Sequence, residues 1–336
     1  MRTESSTLRS PGHGGSVLIL AVWSLFFLAA LAVAIGGHVS AGLQLARAVR
    51  VRVEASALAQ AGVAQAMVAI MEGSTNAWDG GAEDAWNRSP QHFKGSLPGG
   101  VFQVEYVRMT DTGGGETNLG VIGEESRVNV NRAPEPLLAS LFFRVGVPGD
   151  PVALAAAIMA RRVPPADSTP LTDRTRSAYD PGGSMWCESV SDLMDVPGID
   201  AAVLARIDPW VTVHGSGKIN LNTTGPVVLA SLADRVGAGT RQSRDSLVRK
   251  VDAFRQAGRS FKVLEANAIA DALAEFTIVS PEERAVLMAM MGELTIRSEV
   301  FRGVVRAWRN GQVMPQAGIE WVYDARRNRM VAWEAW

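Results

Sequence analysis

Apolar positions run unbroken from Val17 to Ile35 apart from Ser24, and no charged residue occurs between Arg9 and Arg47. That stretch is long enough to cross a bilayer, which takes about 20 apolar residues. Beyond Arg47 the pattern turns amphipathic and alanine-rich as far as Met71. Arg47, Arg50 and Glu54 share one helical face, while Leu58, Gly62, Val63, Ala66, Met67 and Ile70 share the other. No proline interrupts Ser40 to Met71, and Gly42 and Gly62 are its only glycines. The pattern predicts one helix over residues 16–72, about 85 Å long at about 1.5 Å per residue, with its membrane part at about residues 16–39. Gly73-Ser74-Thr75-Asn76 stops it. The small residues of its second half would let it pack closely on a sheet.

Phe102–Tyr106 alternates apolar and polar positions as a half-buried strand does, and Asp111–Gly115 breaks it. The chain then nearly repeats itself. Arg127-Val128-Asn129-Val130-Asn131 matches Lys218-Ile219-Asn220-Leu221-Asn222, and in register Leu138–Leu141 matches Leu229–Leu232. Each copy, 127–141 and 218–232, reads as a strand, an Asn-centred turn and a helix, which points to an internal duplication. Helical patterns fill Pro134–Phe143, Asp150–Arg162, Val190–Met194, Ala201–Ile207, Pro226–Ala233, Ser243–Ala257, Ala266–Glu275 and Ser280–Met291. Val163–Ser184 is rich in Pro, Asp, Ser and Gly and reads as a long loop. Strands return at Leu294–Trp308, Gly318–Tyr323 and Met330–Trp336, with a turn at Arg309-Asn310-Gly311. The expected fold is α+β. A first α/β part (73–131) and C-terminal strands (293–336) form an antiparallel sheet, interrupted by a helical insertion (132–292).

Three readings fit the N-terminus. A cleaved secretory signal has an apolar region of only about 7–15 residues, shorter than the one here. A plain signal anchor fits the length. A type IV prepilin-like leader fits as well: residues 1–15 are short and polar, Gly15 would be the last leader residue and Ser16 the new N-terminus. The arginines do not choose an orientation, since Arg2 and Arg9 precede the span and Arg47, Arg50 and Arg52 follow it; the prepilin cut requires the leader to lie inside. Pilin-like proteins usually carry a glutamate at mature position 5, which neutralises the amine of the next subunit toward the tip. Counted from Ser16, position 5 is Leu20. A subunit with nothing distal to it has no amine to neutralise, and an unpaired carboxylate in lipid is costly. The missing acid fits a tip subunit and equally a non-assembling anchor.

Gly15–Trp23, Leu58–Val63, Leu193-Met194-Asp195-Val196-Pro197-Gly198-Ile199, Lys218–Thr223 and Leu294–Phe301 together resemble the K-class minor pseudopilins of bacterial type II secretion systems. The resemblance covers nearly the whole chain, and the order and spacing of the motifs carry it. It implies a pilin-like periplasmic domain interrupted by a large helical domain resembling SAM-like or helix–hairpin–helix modules. It also implies a single-pass inner-membrane protein that caps and initiates the pseudopilus. The implied partners are the I- and J-class minor pseudopilins, the major pseudopilin and the prepilin peptidase, which would cleave before Ser16 and N-methylate it. Leu20, Trp23, Phe26, Phe27, Leu58 and Gly62 are the candidate assembly-helix residues. Some family members bind calcium. Asp173, Asp180 and Glu188 are oxygen donors in the corresponding loop, but the sequence departs from the family pattern there (Val163–Asp167), so no metal ligand is assigned and no cofactor is expected.

Charge and composition narrow the alternatives. Acidic and basic residues number 34 and 33, so no basic field favours nucleic acid. The single cysteine, Cys187, rules out an intramolecular disulfide, and the four histidines are scattered. Val196–Ile199 followed by Ala201–Ala205 resembles a DNA-binding helix–hairpin–helix, yet Asp200 would repel a phosphate there. His214–Lys218 lacks the first glycine and the hydroxyl of a phosphate loop. Trp308, Trp321, Trp333 and Trp336 recur on the last strands as sheet-packing residues, or in part as interface residues. No catalytic set stands out, and an enzyme is not expected. Two other readings remain open: a minor pilin of a type IV or DNA-uptake pilus, and a membrane-anchored DNA-binding module.

Overall fold

The computed structural model describes residues 14–73, 77–80, 86, 90–109, 114–162 and 187–336. The leader before Gly14 and the expected loop 163–184 lie outside them. The chain divides into two compact units at Glu54/Ala55. Helix α1 (Gly14–Gly73) is longer at each end than the sequence pattern predicts by one or two residues. The absence of proline lets it run unbroken until the Gly73 stop.

The second unit begins with the C-terminal part of α1 and contains two cores. The first is built on a sheet. After α2 (Pro90–Phe93) come β1 (Lys94–Leu97), β2 (Gly100–Met109), β3 (Gly115–Leu119) and β4 (Ile122–Gly123). Much later in the chain follow β9 (Val300–Arg309), β10 (Ala317–Asp324) and β11 (Arg329–Ala335). Among the described residues these form one sheet of order β1-β2-β9-β10-β11, with β3 on β2 and β4 on β9, and every pairing is antiparallel. One face carries Phe102, Val104, Phe301, Val305, Ile319, Trp321 and Tyr323, all buried against Ala55, Leu58, Ala59, Val63, Ala66 and Ile70 of α1. Burial of each such large side chain is worth about 1.5–3 kcal/mol. Gly62 is required at the closest approach. A Cβ there would lie 2.6 Å from Val305 Cγ1 and 2.9 Å from the Phe102 ring.

The second core is the helical part, and it is a duplication more complete than the short sequence match shows. The first copy runs β5 (Val128–Asn129), α3 (Glu135–Arg144), α4 (Pro151–Arg162), a 3-10 turn at Val190–Asp195, α5 (Ala201–Ile207) and β6 (Val211–Thr212). The second runs β7 (Ile219–Asn220), α6 (Pro226–Val236), α7 (Arg241–Gln256), α8 (Ala266–Ala274), α9 (Pro281–Met290) and β8 (Leu294–Thr295). In each, the first strand pairs in parallel with the last, closing the copy on itself.

The asparagines make that closure. Asn129 Oδ1 accepts the Asn131 amide at 2.9 Å, and Asn220 Oδ1 accepts the Asn222 amide at 2.9 Å, an Asx turn in each case. Asn131 Nδ2 donates to the Cys187 carbonyl and Asn222 Nδ2 to the Phe261 carbonyl, both at 2.9 Å. Half-buried arginines finish the two turns alike. Arg162 donates to the carbonyls of Val130 and Ala133, and Arg255 to those of Leu221 and Thr224. Arg162 and Cys187 are thus the counterparts of Arg255 and Phe261.

The strand expected from Leu294 to Trp308 is broken. Leu294–Thr295 pairs with β7 inside the helical part, and β9 starts only at Val300. The break lies where Asp79 intervenes: its amide donates to the Ile296 carbonyl at 2.8 Å, and its carboxylate accepts the Ser298 amide at 2.8 Å. The expected boundaries at 131 and 292 therefore fall just after β5 and just before β8, leaving outside the insertion two strands that belong to the helical part.

Candidate assembly interface

Leu20, Trp23, Phe26 and Phe27 stand 68–69% exposed on the first unit, and nothing among the described residues covers them. Trp23 and Phe26 meet edge to face at 6.4 Å, and the Ser24 hydroxyl is satisfied by the Leu20 carbonyl at 2.8 Å. The candidate span opens at Val17, with a mean hydropathy of 2.7 and none of its apolar window buried. An uncharged helix with every side chain open is stable in lipid or among other apolar helices, not in water. Gly15 and Ser16 lie in the first turn of α1.

Leu58 and Gly62 have a different surrounding. Both are buried in the chain's own core, Leu58 at 4% exposure and Gly62 against Phe102 and Val305. The structure assigns them to docking α1 on its own sheet, so they are not surface residues of the assembly helix. The open face of the same segment is Ala57, Gln60, Ala64, Val68 and Met71, all exposed, at intervals of three and four residues and with no charge among them.

Where the helical part joins the sheet, two carboxylates are buried side by side. Glu124 Oε1 accepts from Arg127 at 3.2 Å and from Arg302 at 2.8 Å. Burial alone would raise its pKa, but the charges of Arg127 and Arg302 outweigh that and hold it down at about 2. Glu125 accepts backbone amides: Ser216 at 3.3 Å, Glu299 at 3.3 Å and Val300 at 3.5 Å. Burial pushes its carboxyl up to about 8 against those amides. This pair was not legible in the sequence.

The tempting motifs resolve as structural turns. The loop amide at Ser216 faces Glu125 instead of a phosphate. Gly198 has φ +90°, and Asp200 caps α5 by accepting the Val203 amide at 2.8 Å, placing a carboxylate where a hairpin would hold DNA. Cys187 is fully buried, and burial raises its pKa, which leaves it an unreactive thiol. Trp321 is buried, while Trp333 and Trp336 are about half exposed at 46% and 56%. Asp173 and Asp180 lie outside the described residues. Glu188 is exposed and its amide donates to Asp192. No group of three or more His, Cys, Asp or Glu side chains is placed to hold a metal among the described residues.

The architecture is that of an α+β protein with a long N-terminal apolar helix, an antiparallel sheet and a large helical part, the fold of pseudopilin-like proteins. No protein-family model matches the sequence, and no curated protein matches it. Among solved structures, the chain is similar to a chain of the GspK–GspI–GspJ complex of the type 2 secretion system from enterotoxigenic Escherichia coli. The TM-score is 0.54 at 16% identity, over 86% of this chain and 96% of that one. The likeness is one of fold, and it agrees with the resemblance to K-class minor pseudopilins carried by the sequence motifs.

Proposed function

We propose that this chain is a minor pseudopilin of a type II secretion system, acting at the tip of the periplasmic pseudopilus with I- and J-class minor pseudopilins. The observation that carries the reading is the fold shared over 86% of the chain with a member of the GspK–GspI–GspJ complex. The exposed, uncharged first part of α1 supports it, because such a helix needs lipid before assembly and partner helices after it. Leu20 in place of an acid suits a subunit with none beyond it. The helical part, inserted between β4 and β9, supplies bulk that would block further addition. On this reading the protein works by assembly and not by catalysis. It sits in the inner membrane with its C-terminal unit in the periplasm, and the prepilin peptidase cuts between Gly15 and Ser16.

The test is the leader. With the peptidase co-expressed, Gly15→Leu leaves the chain at its precursor mobility while the unaltered chain shifts to the cleaved form. Processing that ignores the substitution, or that proceeds without the peptidase, would overturn the reading.

A further inference from the structure

Asparagine is a chemically labile residue, and the fold restrains its copies in this chain unequally. Asn129, Asn131, Asn220 and Asn222 are buried or half-buried, and each Nδ2 donates to a carbonyl or to Asp79. Asn118 lies in β3 and donates to the Glu116 carbonyl at 3.3 Å, while Asn328 Oδ1 accepts the Tyr323 hydroxyl at 2.6 Å. Asn267 is exposed, but it sits in the first turn of α8 before Ala268, where helical dihedrals hold its backbone.

Asn310 has none of these restraints. It is exposed at the tip of the hairpin between β9 and β10 and is followed by an exposed Gly311, the only Asn-Gly pair in the chain. Neither the Asn310 side chain nor the Gly311 amide has a hydrogen-bond partner among the described residues. The Gln312 amide closes the turn by donating to the Arg309 carbonyl at 3.1 Å, and Gly311 has φ +79°. A Cβ built at Gly311 meets nothing within 4 Å, so no neighbour blocks rotation of the turn. Glycine also has no side chain to shield its own nitrogen.

We propose that Asn310 is a self-modification site, which converts without an enzyme to aspartate and isoaspartate. The Gly311 nitrogen gives up its proton and attacks Asn310 Cγ. The bond between that nitrogen and Cγ forms, the Cγ–Nδ2 bond breaks, and Nδ2 leaves as ammonia with a proton. The cyclic imide then takes up one water. Addition at Cγ restores the backbone and leaves aspartate; addition at the Asn310 carbonyl carbon leaves isoaspartate, with the chain running through the former side chain. Either product adds a negative charge beside Arg309, and isoaspartate also lengthens the turn by one carbon. The inference does not rest on the pseudopilus reading and survives its failure.

The experiment incubates the full chain in non-ionic detergent at mildly alkaline pH. It is then digested beside an unincubated portion, and the peptides are read by mass spectrometry with fragmentation that separates aspartate from isoaspartate. The expected result is conversion at Asn310 at least about tenfold faster than at Asn118, Asn267 or Asn328, and faster still as pH rises. Isoaspartate accompanies aspartate, because only the imide route produces it. Gly311→Ala slows the conversion at least about tenfold, and its melting transition checks that the fold is kept. Conversion at Asn310 that only keeps pace with the other three, a product of aspartate alone, or a rate unchanged in Gly311→Ala overturns the proposal.

Discussion

The two parts of α1 have the same secondary structure and opposite fates. From Val17 to Val53 nearly every large apolar side chain is exposed, whereas from Ala55 to Ile70 one face is buried on the sheet. Sequence explains the difference. Before Arg47 the first part carries no charge and is apolar on nearly every side, so it has no preferred face there. The second alternates small and larger apolar residues on one face, with alanine and glutamine opposite. A sheet can cover one stripe but not a whole circumference. Among the described residues nothing covers the first part, whereas β2, β9 and β10 cover one face of the second. The folding of the C-terminal unit and the placement of the N-terminal helix are thus separable, and variants can address them one at a time.

The largest effect on stability should come from Leu58→Ala. It opens a cavity between α1 and the sheet, where Leu58 is 4% exposed, and should cost about 2–5 kcal/mol in denaturant unfolding of the full chain in detergent. Phe26→Ala in the first part should leave the same transition within about 0.5 kcal/mol. Equal losses in both would erase the distinction.

The first part has no charged side chain before Arg47, so the pH dependence of stability should come from the second unit. The folded pKa of Glu125 is raised to about 8 from an ordinary 4.5, so its stabilisation is present below pH 4.5 and is lost as pH rises to 8. Glu124 is depressed from 4.5 to about 2, so its contribution is present above pH 4.5 and is lost as pH falls toward 2. Melting curves should therefore decline on both sides of about pH 4.5, by on the order of 3 kcal/mol on the acid side and on the order of 5 kcal/mol on the alkaline side. Glu125→Gln should flatten the alkaline arm and leave the acid arm standing. An unchanged alkaline arm would mean that Glu125 is already ionised in the fold.

Gly62→Ala should have a smaller effect, about 1–3 kcal/mol, because Val305 and Phe102 must shift to admit the methyl group. On the open face of that segment, Ala64→Lys should cost less than about 0.5 kcal/mol, since the position is exposed and lysine is a good helix former. A large loss there would show that this face is already covered within the chain.

The helix, its stop at Gly73 and the strand–Asn turn–helix repeat were legible because each is local: an apolar run, a glycine, an Asx turn within three residues. What escaped the sequence was long-range. The two-residue strands Val128–Asn129 and Ile219–Asn220 pair with segments more than seventy residues away, and nothing in so short a run signals a partner. Leu294–Trp308 looked like one strand because its alternation continues through Ile296–Ser298, where Asp79 takes over the hydrogen bonds. Of the candidate assembly residues, Leu20, Trp23, Phe26 and Phe27 are open while Leu58 and Gly62 are internal. Hydrophobicity alone does not distinguish a face covered by its own sheet from one left for others.

The central claim is the proposed assembly with I- and J-class minor pseudopilins, and the most direct measurement is co-purification. The full chain, tagged at its C-terminus, would be co-expressed with the I- and J-class proteins of the same genome, extracted in mild detergent and weighed by native mass spectrometry. The account predicts a complex containing one copy of each, weakened by Ala64→Lys while the chain alone remains folded. A chain that purifies alone in the presence of both partners would contradict it.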